Sequence, residues 1–271
     1  MRQVLEIMEM LGVDEKKQRA ILFKVCDSMK KIDFAKSPFE NTGIPHGTLA
    51  RSLRNPDPYA GVKADMNEKA KKILEGVEKN EKHTASLHAL TLLSAVGNIM
   101  DYGPDVRKDK NHIEYMLEHS RIAGNGFRLF EQKLGMRRLK IAFLSDNAGE
   151  VFFDRPLVQT LATRGHAVTY FVKEKPWIND AMRTDAIYAG IDKFAEIDFI
   201  PVRKWNLYLR AGNFLAKLKN YEMVIAKGQG NYETLGDVLD AFYLLIAKCP
   251  LVACSLGVRL GDIVFTRRRN R

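Results

Sequence analysis

The sequence predicts an α/β protein: an all-helical N-terminal half, then a mostly parallel, doubly wound sheet with helices on both faces. Two changes of rhythm carry this. Up to about residue 133 the apolar residues recur at three-to-four spacing, through 2–12, 15–31, 59–80, 83–101 and 110–132. From Leu139 onward short apolar runs, "LKIAFLS", "AVTYFVK", "DFIPV", "MVIAKG" and "FYLLIAK", alternate with helical patterns at 150–164, 179–190, 207–219 and 231–240. Runs apolar at every position suit strands buried on both faces, and a repeated strand–helix alternation folds as parallel crossovers.

Along the helical half, "KKQRAILFKVCDSMKKI" predicts an apolar face of Ala20, Ile21, Phe23, Val25, Cys26 and Met29. "SPFENTGIPHG" and "RNPDPYAG" concentrate the early Pro and Gly and are read as breaks between helices. The joint "GMRRLK" sets the expected boundary, giving a helical domain at 1–135 and an α/β domain at 136–271.

At 271 residues and 46% apolar content the chain has ample material for a core. No run approaches the roughly 18 apolar residues of a membrane span. The first helix is charged and amphipathic without the apolar region of a signal peptide, so a cytoplasmic location and no membrane partner are expected. Cys26, Cys249 and Cys254 are odd in number and scattered, which predicts small buried hydrophobes rather than a disulfide or zinc motif. Forty-three Lys and Arg against 33 Asp and Glu leave a net charge of +10. The excess is dispersed, its one dense cluster being the terminal "TRRRNR", read as a frayed tail. With no zinc finger or RNA-binding aromatic motif, nucleic acid is not the expected partner.

In an open parallel sheet, ligands bind beyond the carboxyl ends of the strands, where loops converge and helix N-termini present free N–H groups. Three such tips carry polar clusters: Ser145-Asp146-Asn147, "KEKPWINDAM" and "KGQGNYETL". Asp146 alone is also a favoured helix N-cap. Beside Asn147, and with Asp180 on the next tip, it supplies hard oxygen donors for part of an octahedral divalent-ion site. No histidine or thiolate stands at metal-ligand spacing; His83 and His88 are five apart. "KGQGNYETL" lacks the third glycine of a dinucleotide fingerprint, Glu233 standing there. Gly228 and Gly230 still let a backbone approach a ligand, Asn231 can cap the helix, and Lys227 is a point charge suited to a phosphate oxygen; an ordinary strand-to-helix turn with a surface lysine reads the same way. Ala148, two residues after Asp146, disfavours a covalent aspartyl-phosphate route, which needs an acid there.

"SDNAGE" at 145–150, "KPWINDA" at 175–181, "KGQGNYETL" at 227–235 and "AVGNIMDYG" at 95–103 together resemble the domain-of-unknown-function 89 proteins, described as metal-dependent damage-control phosphatases. The resemblance spans nearly the whole chain. It implies a helical domain packed on a Rossmann-like domain, a metal held by Asp146, Asn147 and Asp180, and Lys227 on the phosphate. Asn98 and Asp101, three apart on a helix, match positions that face the site from the other domain, although the motif read alone is equally a helix C-terminal cap before Gly103-Pro104. Small microbial members usually carry a Cys-x-x-Cys pair just upstream of a segment like "RQVLEI", and no such pair stands before Arg2 here.

The expected chemistry is phosphomonoester hydrolysis with one divalent cation, Mn, Co, Ni or Mg. Lys227 and the N–H groups of 228–231 (Gly228, Gly230 and Asn231 among them, with Asn98 nearby) would bind the phosphate, and Glu150 or Asp101 would handle protons. The substrate is a small phosphorylated metabolite such as a sugar phosphate or a phosphopantetheine-like compound. A carboxyl methyltransferase using S-adenosylmethionine is the alternative on the same scaffold, although only Gly149 follows the first strand. A non-catalytic module binding phosphometabolites or nucleic acid is the third reading.

Overall fold

The computed structural model describes residues 1–100 and 110–268. Among the described residues seven α-helices come first: α1 (Arg2–Met10), α2 (Glu15–Ser28), α3 (Pro38–Asn41), α4 (Gly43–Leu53), α5 (Ala60–Val77), α6 (Leu87–Val96) and α7 (Lys110–His119). Their starts are encoded locally. Asp14 caps α2 by accepting from Lys17 N, and Ser86 caps α6 by accepting from Ala89 N. Ser37 and Glu40 form a reciprocal capping box around Pro38, so a segment read as a break begins a helix instead. In α2 the buried face is Ile21, Val25 and Ser28, at i, i+4 and i+7. Ala20, Phe23, Cys26 and Met29, expected on that face, are exposed instead. Cys254 is also exposed and Cys249 half-buried, so none of the three thiols is the buried hydrophobe expected.

The chain then runs β1 (Ile122–Ala123), α8 (Gly126–Met136), β2 (Lys140–Leu144), α9 (Glu150–Thr163), β3 (Ala167–Lys173), α10 (Arg183–Ala189) and β4 (Glu196–Ile200). It continues through β5 (Val202–Arg203), β6 (Asn206–Leu207), α11 (Gly212–Leu218), β7 (Met223–Lys227), α12 (Gly228–Leu235), β8 (Ala241–Ile246), α13 (Pro250–Leu256) and β9 (Ile263–Arg268). Seven strands form one sheet in the order β1-β9-β8-β7-β2-β3-β4, parallel throughout except for the β8–β9 pair. Every residue of β7 and β8 is buried, so both faces of the sheet are covered. β5 and β6 make a separate antiparallel hairpin.

Three further expectations change. "DFIPV" divides between β4 and β5 at Pro201, which has no N–H to continue a ladder. The pattern at 110–132 is broken by β1, which pairs with β9. The terminal cluster is no frayed tail through Arg268: Thr266, Arg267 and Arg268 belong to β9, and Arg267 grips Asp240 through two bonds of 2.9 and 2.7 Å. Among the described residues no helix is long and apolar enough to cross a membrane.

The chain leaves β2 toward β3 and β4 on one side and returns through β7 and β8 on the other. The order therefore reverses between β2 and β7, and the crevice at their carboxyl ends is where such sheets take ligands. From the other side, α6 packs on α9 and on β8 and β9. Its sequence "LHALTLLSAV" is apolar nearly all round, and eight of its ten residues are buried.

In α4, His46 is buried beside Tyr59, whose hydroxyl lies 2.6 Å from His46 Nδ1. Burial pushes the imidazole down to about 4. The unfolded chain therefore binds a proton that the folded chain refuses, and stability falls as pH drops from 6.5 toward 4, by about 3 kcal/mol for this one group. Thermal melts at pH 7 and 4.5 are expected to show a smaller difference for His46→Gln than for the wild type. An identical difference in both would show that the imidazole does not titrate this way.

Candidate active site

The first strand tip is extended by its neighbour. Ser145 N and Oγ both donate to Phe171 O, at 2.9 and 2.8 Å, so the chain stays in register past β2. The loop after β3 then folds back: Ile178 takes φ +47, Asp180 N closes a turn onto Trp177 O at 3.0 Å, and residues 179–181 run alongside 146–148. Ala148 N donates to Asn179 O at 2.9 Å and Ala181 N to Asp146 O at 2.8 Å, which makes Asn147 and Asp180 an antiparallel bridge pair. Directly opposed residues project to the same side, so the carboxamide and the second carboxylate expected from sequence are brought together.

Asp146 faces β7. Gly228, at φ +79, passes so close that a Cβ there would stand 1.8 Å from Asp146 Oδ2. Glycine is required twice over, by the left-handed backbone and by this approach. Asn98, in the 3-10 turn Gly97–Met100 that follows α6, donates from Nδ2 to Asp146 Oδ2 at 2.9 Å and to Glu150 Oε1 at 2.5 Å. Asn147 Nδ2 also donates to Glu150 Oε1, at 2.8 Å, which turns the Asn147 carbonyl away from Glu150. Glu150 thus orients both amides. Asp101 lies outside the described residues.

Lys227 is placed differently from the expectation of a phosphate contact. It is wholly buried, and its ammonium donates to Ser94 O at 2.8 Å, Asp154 Oδ1 at 2.7 Å and Glu150 Oε2 at 3.3 Å. Burial alone would pull this ammonium down, yet Asp154, Glu150 and Asp146 together hold it above the ordinary lysine value. Ser94 Oγ and Tyr170 OH donate to the two oxygens of Asp154, at 2.6 and 2.7 Å. Burial, and then the Asp154 carboxylate, push the Tyr170 phenol well up. Asn231 is not the helix cap expected, because α12 begins at Gly228 itself. From the helix's first turn its Nδ2 ties the two strand ends together, donating to Lys227 O at 2.7 Å and Ser145 O at 3.1 Å. Gly230 lies against Phe39, where a Cβ would meet the ring at 2.7 Å, so its bareness serves this packing.

Four residues of this network were missed from sequence: Ser94, Asp154, Tyr170 and Lys173. Asp154 had a signal, since it follows Glu150 by one helical turn in α9 and so shares its face. Lys173, whose Nζ lies 2.9 Å from Asp180 Oδ2, had a weaker one as the charged end of an apolar strand.

The donor set fits a hard divalent ion. Asp146, Asn147 and Asp180 offer oxygens, and Asn98 Oδ1 beside them is buried without a donor. Among the described residues no three carboxylate, imidazole or thiolate side chains cluster as a metal site on their own. An ion here would need the amide oxygen and water as well.

A doubly wound sheet with polar residues gathered at its switch point defines an α/β protein of the class that binds ligands beyond the carboxyl ends of its strands. The description "damage-control phosphatase ARMT1-like domain" matches residues 1–264, and the chain belongs to that family. It is 31% identical to the damage-control phosphatase of Pyrococcus horikoshii, over 82% of this chain and 78% of that one. It is 32% identical to a damage-control phosphatase of Archaeoglobus fulgidus, over 81% and 78% of the two chains. An uncharacterized protein of Methanocaldococcus jannaschii matches at 29% over 98% of this chain and 92% of its own. Among solved structures, a DUF89 family protein of P. horikoshii superposes with a TM-score of 0.86 at 28% identity, covering 99% of this chain and 95% of that one. The relatives' names support a phosphatase role at the level of the family.

Proposed function

We propose that this protein is a divalent-metal-dependent phosphomonoesterase acting on small phosphorylated metabolites, with sugar phosphates and phosphopantetheine-like compounds as the classes to test. The observation that carries the reading is the meeting of Asp146, Asn147 and Asp180 at the β2–β7 switch point, with Gly228 pressed against the Asp146 carboxylate. Those three residues would hold the ion, Mn, Co, Ni or Mg. When bound, it supplies a Lewis acid toward a phosphoryl oxygen and a more acidic water.

The chain's own groups do the positioning. Glu150 fixes the amides of Asn98 and Asn147, Lys227 fixes Glu150 and Asp154, and the N–H groups opening α12 offer donors at the strand end. Of the two candidates for proton transfer, Glu150 is already engaged by three donors, which leaves Asp101 as the residue to test. The methyltransferase alternative gains no support from the turn after β2: its lone glycine, Gly149, sits on the Met66 backbone, where a Cβ would come within 3.0 Å of the carbonyl oxygen.

The test is hydrolysis of an aryl phosphate by metal-stripped protein with each ion restored in turn, beside calorimetric titration of the ion. Asp146→Asn is expected to weaken ion binding by at least about 100-fold, more than typical changes outside the ligand shell, and to remove most turnover with the fold intact. Normal ion binding by that variant, or rescue of the wild type by zinc alone, would overturn the ligand set.

A further inference from the structure

Two buried lysines approach the proposed ion site, both ion-paired, and they differ in how many acceptors their N–H groups find. Lys227 directs its ammonium at Ser94, Asp154 and Glu150. Lys173, the last residue of β3, is 1% exposed, yet its Nζ makes no hydrogen bond among the described residues. Asp180 Oδ2 is 2.9 Å away but outside hydrogen-bonding geometry, and the Phe39 ring centroid is 6.0 Å off. An ammonium has three N–H groups and tolerates water loss only when they find acceptors. On the same tip, Trp177 Nε1 is a second buried donor without an acceptor, and its ring packs against the same Phe39 with centroids 6.0 Å apart.

Around Asp146 and β7 the unmatched atoms have the opposite sense. Asn98 Oδ1 and Asn231 Oδ1 are buried acceptors without donors. Those two buried oxygens lack donors, as suits a cation and its water, while the tip 173–177 holds an ammonium paired by charge with Asp180 Oδ2 at 2.9 Å and an indole N–H without an acceptor, so both have N–H groups to offer an anion.

We propose that Lys173, rather than Lys227, is the cation that receives the substrate's phosphoryl group, donating from Nζ to a non-bridging oxygen. This rests on the phosphatase reading above and assigns its anion-binding end to the tip 173–177. Lys227 then acts as a positioning residue for Glu150 and Asp154.

The experiment titrates the full chain in two stages by calorimetry, first with Mn²⁺, then with inorganic phosphate on the Mn²⁺-saturated protein. Lys173→Met and Lys173→Gln are expected to keep wild-type Mn²⁺ affinity and to bind phosphate about ten- to hundredfold more weakly, the size of a lost charged hydrogen bond. Lys173→Arg should retain phosphate binding. Circular dichroism checks folding. Should the neutral variants fail to fold, nitrogen-15 lysine-labelled wild type loaded with Mg²⁺ gives the reading: phosphate should move one protected Nζ signal, the one lost in Lys173→Arg. Unchanged phosphate affinity in the neutral variants, or an unmoved signal, would overturn the assignment while leaving the phosphatase reading standing. Loss of Mn²⁺ and phosphate affinity together would show that Lys173 acts only through Asp180, which also overturns it. Wild-type protein that binds Mn²⁺ but no phosphate would remove both.

Discussion

Lys227→Met is expected to cost about 3–5 kcal/mol of stability, because removing one partner of a buried ion network leaves the others charged and unpaired. Asp154 and Glu150 would both lose their cation in a site where all three side chains are wholly buried. Ser94 O would lose its donor as well. Urea unfolding followed by circular dichroism measures this directly. Were Lys227 chiefly a contact to phosphate, the midpoint would hold and KM for an aryl phosphate would rise instead. Asp154→Asn supplies a second leg: combined with Lys227→Met it should cost less than the two changes summed, by about 0.5–3 kcal/mol, as expected for residues sharing one network. Additive losses would show that the 2.7 Å contact between them contributes little.

The parts of this molecule that were legible in its sequence are those where one physical demand acts alone. β2, β3, β7 and β8 are covered on both faces, so they read as unbroken apolar runs. β9 answers to two demands: Ile263, Val264 and Phe265 are buried, while Arg267 reaches Asp240 and the Arg268 guanidinium stacks over the Tyr232 ring at 4.9 Å. Its charged end therefore looked like a tail. In "GIPHGTLARSL" the two glycines suggested a break, yet they lie inside α4 because two tryptophans press on that face. A Cβ at Gly43 would meet Trp205 O at 2.3 Å and the Trp177 ring at 2.5 Å, and one at Gly47 would meet Trp205 Cβ at 2.7 Å. Both tryptophans lie far along the chain, so no local window contains the reason.

At the candidate site the same division holds. Polar residues at strand tips mark themselves by interrupting apolar runs, which is how Asp146, Asn147, Asp180 and Lys227 were picked out. Which atoms meet depended on the fold-back of residues 174–182 and on α6 packing against α9. The partners of Lys227 lie 73, 77 and 133 positions away in sequence. A lysine after a strand carries no sign of whether it faces a ligand or a buried carboxylate.

Gly228→Ala is expected to disable the site with little damage to the rest of the fold. The new methyl group would fall 1.8 Å from Asp146 Oδ2 and 2.3 Å from its Cγ, at a backbone φ of +79 that alanine adopts only under strain. The strain itself costs about 1–2 kcal/mol. The collision is relieved most easily by swinging the Asp146 carboxylate aside, which moves a proposed ion ligand by more than 1 Å and breaks its bond from Asn98. Misplacement on that scale costs about 100-fold in rate. Turnover and Mn²⁺ affinity should both collapse while the melting temperature falls by only a few degrees. Gly230→Ala is the control: the nearest atoms to its methyl group belong to the Phe39 ring, at 2.7 Å, so it should lower stability and spare Mn²⁺ affinity. Adding Asp146→Asn to Gly228→Ala should bring little further loss, since both act on one carboxylate. If Gly228→Ala binds Mn²⁺ as the wild type does, the close approach is a packing detail, and the ion is held without Asp146.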